Sequence, residues 1–282
     1  MKGLVTNTIR FSTVDGPGNR FVIFLQGCNF NCVACHNPYT INVCNNCGDC
    51  VDTCPTGALT INDLGAVQWN EAACDGKDTC VTVCPYDATP KARSTDVAEL
   101  LVKIRQASPF LSGITVSGGE ATQQTEFVHS LFTAIKADPE LRLLTCFVDS
   151  NGATEPATWS QLARTMDGAM IDLKCLDPEI HQRMTGKSND QVLASIRQLH
   201  GLGLLYEVRL LLLAGVNDDP ALLARTAEWL ADVDPEMRVK VIGFRSHGTR
   251  PHDPPLVEPS ADSIHRAADL LLDFARFDVC AI

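Results

Sequence analysis

Phe21-Val22-Ile23-Phe24-Leu25-Gln26-Gly27-Cys28-Asn29-Phe30-Asn31-Cys32-Val33-Ala34-Cys35 is the stretch on which the reading of this chain turns. Five apolar residues make a short run of the kind expected of a buried strand. Three Cys spaced C-x3-C-x2-C follow it directly, on a loop at the strand's C-terminal end. A 4Fe-4S cube takes four thiolates. Three from one tight loop leave one iron without a protein ligand, and a position left open marks a site built for chemistry. The competing reading is a zinc knuckle with His36 as fourth ligand.

Outward from this stretch, short apolar or β-branched runs alternate with longer amphipathic ones, the pattern of a parallel α/β architecture. Strands are predicted at Phe21–Leu25, Gly113–Val116, Leu143–Val148, Ala169–Leu173, Tyr206–Leu213 and Val239–Phe244. Helices are predicted near Thr95–Gln106, Gln124–Ala137, Ala157–Arg164, Asp190–Leu202, Pro220–Leu230 and Ser260–Phe274. Six strand–helix units suit an open or partial (β/α)6 barrel, with ligands expected beyond the strands' C-terminal ends.

Residues 42–91 break the rhythm with closely spaced Cys, Asn, Asp, Gly and Pro, and read as a small inserted domain; residues 1–41 and 92–282 form the discontinuous barrel. The insert repeats itself approximately at Cys54-Pro55-Thr56-Gly57-Ala58 and Cys84-Pro85-Tyr86-Asp87-Ala88. Cys44-x2-Cys47-x2-Cys50-x3-Cys54-Pro55 is the bacterial ferredoxin run. In two-cluster ferredoxins the fourth Cys of each run binds the other cluster. That rule assigns Cys44, Cys47, Cys50 and Cys84 to one cluster and Cys54, Cys74 and Cys80 to another, with Lys77 where a fourth Cys is expected. This second cluster recruits a carboxylate such as Asp75 or Asp78, takes a solvent ligand, loses an iron or is absent.

The chain has 282 residues, 45% of them apolar, enough for a full core. A net charge of −11 without a Lys/Arg run argues against nucleic acid as a partner. No apolar stretch approaches the roughly 20 residues of a membrane span, and the N-terminus lacks the plan of a signal peptide. The expectation is a cytoplasmic protein. Of thirteen Cys, ten fall between Cys28 and Cys84, where metal ligation is the default in a reducing compartment; Cys146, Cys175 and Cys280 read as ordinary small residues.

The Cys triplet, with Ser117-Gly118-Gly119-Glu120 one strand later, resembles the radical S-adenosylmethionine (SAM) superfamily. The resemblance implies a 4Fe-4S cluster on Cys28, Cys32 and Cys35 whose open iron chelates SAM. Gly118, Gly119 and Glu120 would receive the methionine ammonium, and Ala34, Cys35 and His36 would lie beside the adenine. Ala34 departs from the aromatic residue usual before the third Cys. Further stretches are similar to glycyl-radical-enzyme activating enzymes: Thr13-Val14-Asp15-Gly16-Pro17-Gly18-Asn19-Arg20, Asp149-Ser150-Asn151-Gly152, Met170-Ile171-Asp172-Leu173-Lys174, His181 to Gly186, and Arg209 with Ala214-Gly215-Val216-Asn217-Asp218. They most resemble the YjjW type, which carries a ferredoxin-like insert.

By that resemblance Asp149, Ser150, Met170 and Asp172 gather oxygen ligands around a small monovalent cation beside the SAM carboxylate. Asn151, Lys174 and Arg209 complete the SAM site, and His247, or alternatively Arg245, approaches SAM. Asp15 lies near the substrate glycine. The implied reaction is reductive cleavage of SAM to a 5'-deoxyadenosyl radical that takes a Cα hydrogen from a glycine of a partner glycyl radical enzyme, with electrons from a flavodoxin or ferredoxin-type donor. The alternative is a radical SAM enzyme modifying a small molecule or peptide with auxiliary clusters. A third reading is an electron-transfer module that uses the barrel as a docking scaffold.

Overall fold

A computed structural model describes residues 1–282. The strands in chain order are β1 (Lys2–Ser12), β2 (Arg20–Leu25), β3 (Asn42–Val43), β4 (Leu59–Ile61), β5 (Val67–Trp69), β6 (Ala88–Thr89) and β7 (Arg93–Asp96), then β8 (Gly113–Gly118), β9 (Thr145–Ser150), β10 (Gly168–Asp172), β11 (Leu205–Leu212), β12 (Arg238–Gly243) and β13 (Asp278–Ala281). The helices are α1 (Thr79–Thr82), α2 (Val97–Ala107), α3 (Thr125–Ala137), α4 (Pro156–Leu162), α5 (Pro178–Thr185), α6 (Asp190–Gly201), α7 (Pro220–Val233) and α8 (Ala261–Phe274). No helix is long and apolar enough to cross a membrane.

Nine strands form one open sheet in the order β13-β12-β11-β10-β9-β8-β2-β1-β7. The seven from β2 to β13 run parallel, while β1 pairs antiparallel with β2 and with β7. All six predicted strands and all six predicted helices are present within a few residues. The strand predicted from Leu143 begins at Thr145, leaving Leu143 exposed. Strands β1, β3 to β7 and β13 and helices α1 and α5 are additions to the reading.

Strand alternation sorts side chains to two faces. Ile23, Leu25, Ile114, Val116, Val148, Ile171, Val208 and Val241 pack into the main core with α3, α6, α7 and α8, through residues such as Leu131, Ile196, Leu230 and Leu271. The other face is concave and polar, and carries the cleft described below. Its lower end is sealed by Arg20, which is fully buried. Arg20 donates to Thr145 Oγ1 at 2.6 Å, Thr115 Oγ1 at 3.1 Å and the Ile114 carbonyl, and lies 4.6 Å above the Phe147 ring. Burial pushes the guanidinium down to about 10, so it stays charged near neutrality.

The chain leaves the main sheet after β2 and rejoins it at β7. Between them β3 pairs parallel with β6, and β4 antiparallel with β5. Cys50, Leu59 and Cys80 form a separate small core there, an amount of apolar burial too slight to hold fifty residues alone.

Candidate active site

The Cys28–Cys35 loop is held by backbone hydrogen bonds at both ends. Gly27 N and Cys28 N donate to the carbonyls of Thr40 and Ile41 at 2.8 and 2.9 Å; Asn31 N and Val33 N donate to those of Thr185 and Met184, each at 2.9 Å. The last two acceptors end α5, the helix absent from the sequence reading. The loop thereby turns Cys28, Cys32 and Cys35 into one cleft of about 370 Å³ at the C-terminal ends of the parallel strands. Burial pushes the Cys28 thiol up to about 12 and the Cys32 thiol to about 11, and raises Cys35 as well. Half-buried thiols of this kind give up their protons when a metal supplies the compensating charge. No three His, Cys, Asp or Glu side chains gather as they would around a single ion, and a cube spreads its thiolates more widely than one ion does.

The second wall shows why two glycines follow β8. Gly118 sits at φ +119°, and a Cβ there would lie 2.1 Å from Leu25 N; one on Gly119 would lie 2.3 Å from the Gly27 carbonyl oxygen. This close approach lets Gly119 N and Glu120 N donate to the Leu25 and Gly27 carbonyls, both at 2.8 Å. Glu120 is buried, and its carboxylate accepts from Thr122 N, Thr122 Oγ1, Ser150 Oγ and Asn151 N at 2.7 to 2.9 Å. Burial raises its pKa despite these donors. Glu120 therefore ties the glycine turn to the Ser150–Asn151 turn, and Asn151 in turn points its amide at Cys28 Sγ, 3.8 Å away.

Facing these, β9, β10 and β11 present opposed charges. Arg209 donates to Asp149 Oδ1 at 3.0 Å, Glu207 Oε1 at 2.8 Å and the Met170 thioether at 2.9 Å. Burial disfavours its charge, but Asp149, Asp172 and Glu207 hold it above the ordinary arginine value. Lys174 Nζ lies 2.7 Å from Asp172 Oδ2. Burial works against this ammonium too, and Asp172 outweighs it. Asp15 reaches the same cleft on the β1–β2 loop, its carboxylate held by Ser12 Oγ and its carbonyl by Thr115 Oγ1 at 2.6 Å.

Ala34 and His36 also line the cleft, with His36 stacked on Phe244 at 6.0 Å between ring centroids. Met170 is fully buried beneath Arg209 instead of on the cleft wall. His247 and Arg245 differ from expectation more plainly: both are exposed on the turn after Phe244, and only the Arg245 carbonyl comes near, hydrogen-bonded to His36 Nε2 at 2.8 Å. From the same turn Arg250, unnoticed in the sequence, donates to the Cys32 carbonyl at 2.7 Å and pairs with Asp87 at 2.7 Å.

Residues 42–91 carry two further clefts. One gathers Cys44, Cys47, Cys50 and Cys84, and the other Cys54, Cys74 and Cys80 with Asp75, Asp78, Trp69 and Lys91. This is the crossed grouping that the ferredoxin rule gives. Lys77, at the fourth-ligand position, points outward and pairs with Asp75 at 3.3 Å.

Comparison with known proteins agrees with this geometry. The Radical SAM superfamily profile matches residues 22–227. The isethionate sulfite-lyase activating enzyme of Desulfovibrio desulfuricans is 27% identical over 272 residues, covering 88% of this chain and 85% of that protein. The choline trimethylamine-lyase activating enzyme of Oleidesulfovibrio alaskensis is 30% identical over 246 residues, covering 81% and 78%. The chain belongs to the radical SAM superfamily, among its glycyl-radical-enzyme activating enzymes.

As a radical SAM protein it shares its fold with enzymes of low sequence identity. Streptococcus suis SuiB bound to precursor peptide SuiA matches with a TM-score of 0.59 and 12% identity over 92% of this chain and 48% of that one. A radical SAM methyltransferase from Sphaerobacter thermophilus matches with 0.54 and 15% identity over 99% and 77%. Membership carries SAM and a 4Fe-4S cluster as cofactors, and the cleft suits them: three half-buried thiols stand beside paired cationic and anionic groups, as a zwitterionic ligand on a cluster requires.

Proposed function

We propose that this activating enzyme binds a 4Fe-4S cluster on Cys28, Cys32 and Cys35 with SAM beside it, and places a glycine of a partner glycyl radical enzyme next to them. When bound, cluster and SAM supply a 5'-deoxyadenosyl radical able to take a Cα hydrogen. The observation that carries the reading is the convergence of three thiols from one loop on a cleft whose opposite wall holds Lys174 and Arg209.

The chain's own part is to bind, orient and exclude water. Backbone groups at Gly118 and Gly119 receive the methionine ammonium, with Glu120, Ser150 and Asn151 fixing the turn that offers them. Lys174 and Arg209 face the carboxylate, and His36 on Phe244 offers adenine the flat surface that Ala34 lacks. Asp15 orients the substrate segment at the lower wall. Asp149 and Asp172, the acids suited to a monovalent cation, are engaged by Arg209 and Lys174. A cation would therefore exchange with these ion pairs.

Residues 42–91 are proposed as a ferredoxin-like domain that relays electrons from a flavodoxin or ferredoxin-type donor. The gap at Lys77 favours the second reading, a small-molecule or peptide substrate met by an open auxiliary iron. Anaerobic reconstitution, reduction with dithionite and addition of SAM and a candidate partner separates the two. An EPR glycyl doublet that tracks 5'-deoxyadenosine supports activation; deoxyadenosine with no doublet on any partner supports the second reading. Cys32→Ala should abolish both signals, and its failure to do so would sink the site assignment.

A further inference from the structure

The two clefts within residues 42–91 are lined by different chemistry. Around Cys44, Cys47, Cys50 and Cys84 stand Asn45, Asp49 and small or apolar residues, with no Lys, Arg or indole N–H. Around Cys54, Cys74 and Cys80 stand Lys91 and Trp69. Trp69 Nε1 is buried and has no hydrogen-bond partner, and its N–H faces the Cys74 thiol. Lys91 Nζ lies 5.6 Å from the Trp69 ring centroid, beside the Cys74 and Cys80 thiols, and is paired to Asp78. Asp75 is taken by Lys77. The cleft therefore offers three sulfurs and two donors aimed at sulfur, while both nearby carboxylates are already engaged.

A buried N–H without a hydrogen-bond partner keeps an uncompensated desolvation cost until it finds an acceptor. The sulfides and thiolates of an iron–sulfur cluster are such acceptors, and they carry the negative charge that Lys91 would balance. Donors to cluster sulfur and positive charge beside it favour the reduced, more negative state and so raise the potential. One thiolate fewer acts in the same direction.

Building on the reading that these residues hold clusters, we propose that Cys54, Cys74 and Cys80 bind an iron–sulfur cluster through three thiolates, with Trp69 and Lys91 donating to its sulfurs. This site then has a higher reduction potential than its four-thiolate neighbour. Trp69 and Lys91 are positioning residues here, acting on the cluster through hydrogen bonds and charge.

The test uses the whole chain, reconstituted anaerobically with iron and sulfide, analysed for iron content and titrated by EPR-monitored potentiometry without SAM. A Cys74→Ser, Cys80→Ser double variant identifies the signal of this site by its loss, and the iron count falls with it. Trp69→Phe and Lys91→Met should each shift that signal to lower potential and their combination further, leaving the signals of the Cys28 and Cys44 sites in place. Unchanged potentials in both variants, or a wild-type potential below that of the Cys44 site, would overturn the inference. If Trp69→Phe loses the cluster outright, Lys91→Met alone decides. Iron and spectra unchanged in the double Cys variant would instead defeat the reading that this cleft holds a cluster at all.

Discussion

Substituting Arg209 by Met leaves Glu207 and Asp149 buried with no cation between them. Breaking a buried pair from one side costs about 3–5 kcal/mol, and that loss is the expected outcome in chemical denaturation. Arg209→Lys keeps the charge without the fork, so stability should recover in part while SAM affinity, followed by equilibrium dialysis, stays reduced. Gly119→Ala would drive a methyl into the Gly27 carbonyl, a backbone atom with nowhere to move. Its signature should be loss of bound iron on reconstitution, because the displaced segment carries Cys28. His181 gives a pH dependence. The ring is fully buried, with Nδ1 against the Lys187 carbonyl at 2.9 Å, and burial holds its pKa below the ordinary value. The folded state thus binds the proton less readily than the unfolded chain. Stability from this group is complete above about pH 6.5 and falls as the pH drops below it. Denaturation midpoints of wild type and His181→Gln should converge on acidification from about pH 7.5 to about pH 5.5; a constant gap would refute this.

Helix α2 begins with a capping box in which Asp96 accepts from Ala98 N and Glu99 reaches back to Asp96 N at 3.0 Å. Asp96→Ala should cost about 1 kcal/mol, measured by thermal or chemical unfolding. That helix and the other long ones are legible because their apolar stripes are periodic, and the six strands because they are short apolar or β-branched runs whose few polar members, such as Asp149 and Arg209, fall on the cleft face. The antiparallel β1 escaped because its outer half is exposed and its residues alternate with polar ones. Helix α5 has only two turns and a polar composition, yet its last carbonyls hold the Cys loop. The Cys triplet and the glycine pair, where chemistry dictates residue type, are the parts of the candidate site that local sequence picks out, and all of them line the one cleft. At the loop after β12, residue identity singles out His247, which lies exposed and outside the cleft lining. Arg250 has the place, and its partner Cys32 is 218 residues away in sequence, a separation that no local pattern bridges.

Arg250 also joins two segments far apart in sequence, since one guanidinium holds both the Cys32 carbonyl and Asp87 beyond the last Cys of the second run. The pair is half-exposed, so Arg250→Gln should change global stability by less than about 1 kcal/mol. Its effect should appear as faster hydrogen exchange in residues 84–91 and the Cys28–Cys35 loop, and unchanged exchange in both segments would show that the link is incidental. The pairing of β3 with β6 has a different implication. Asn42 lies opposite Ala88 and Val43 opposite Thr89, so the chain departs and returns at neighbouring points. The stretch between them can therefore change in length without moving either end, provided the Arg250–Asp87 link beside the seam is kept. Residues added within it would lengthen that stretch alone, with no strand of the parallel sheet forced to slide past its neighbour.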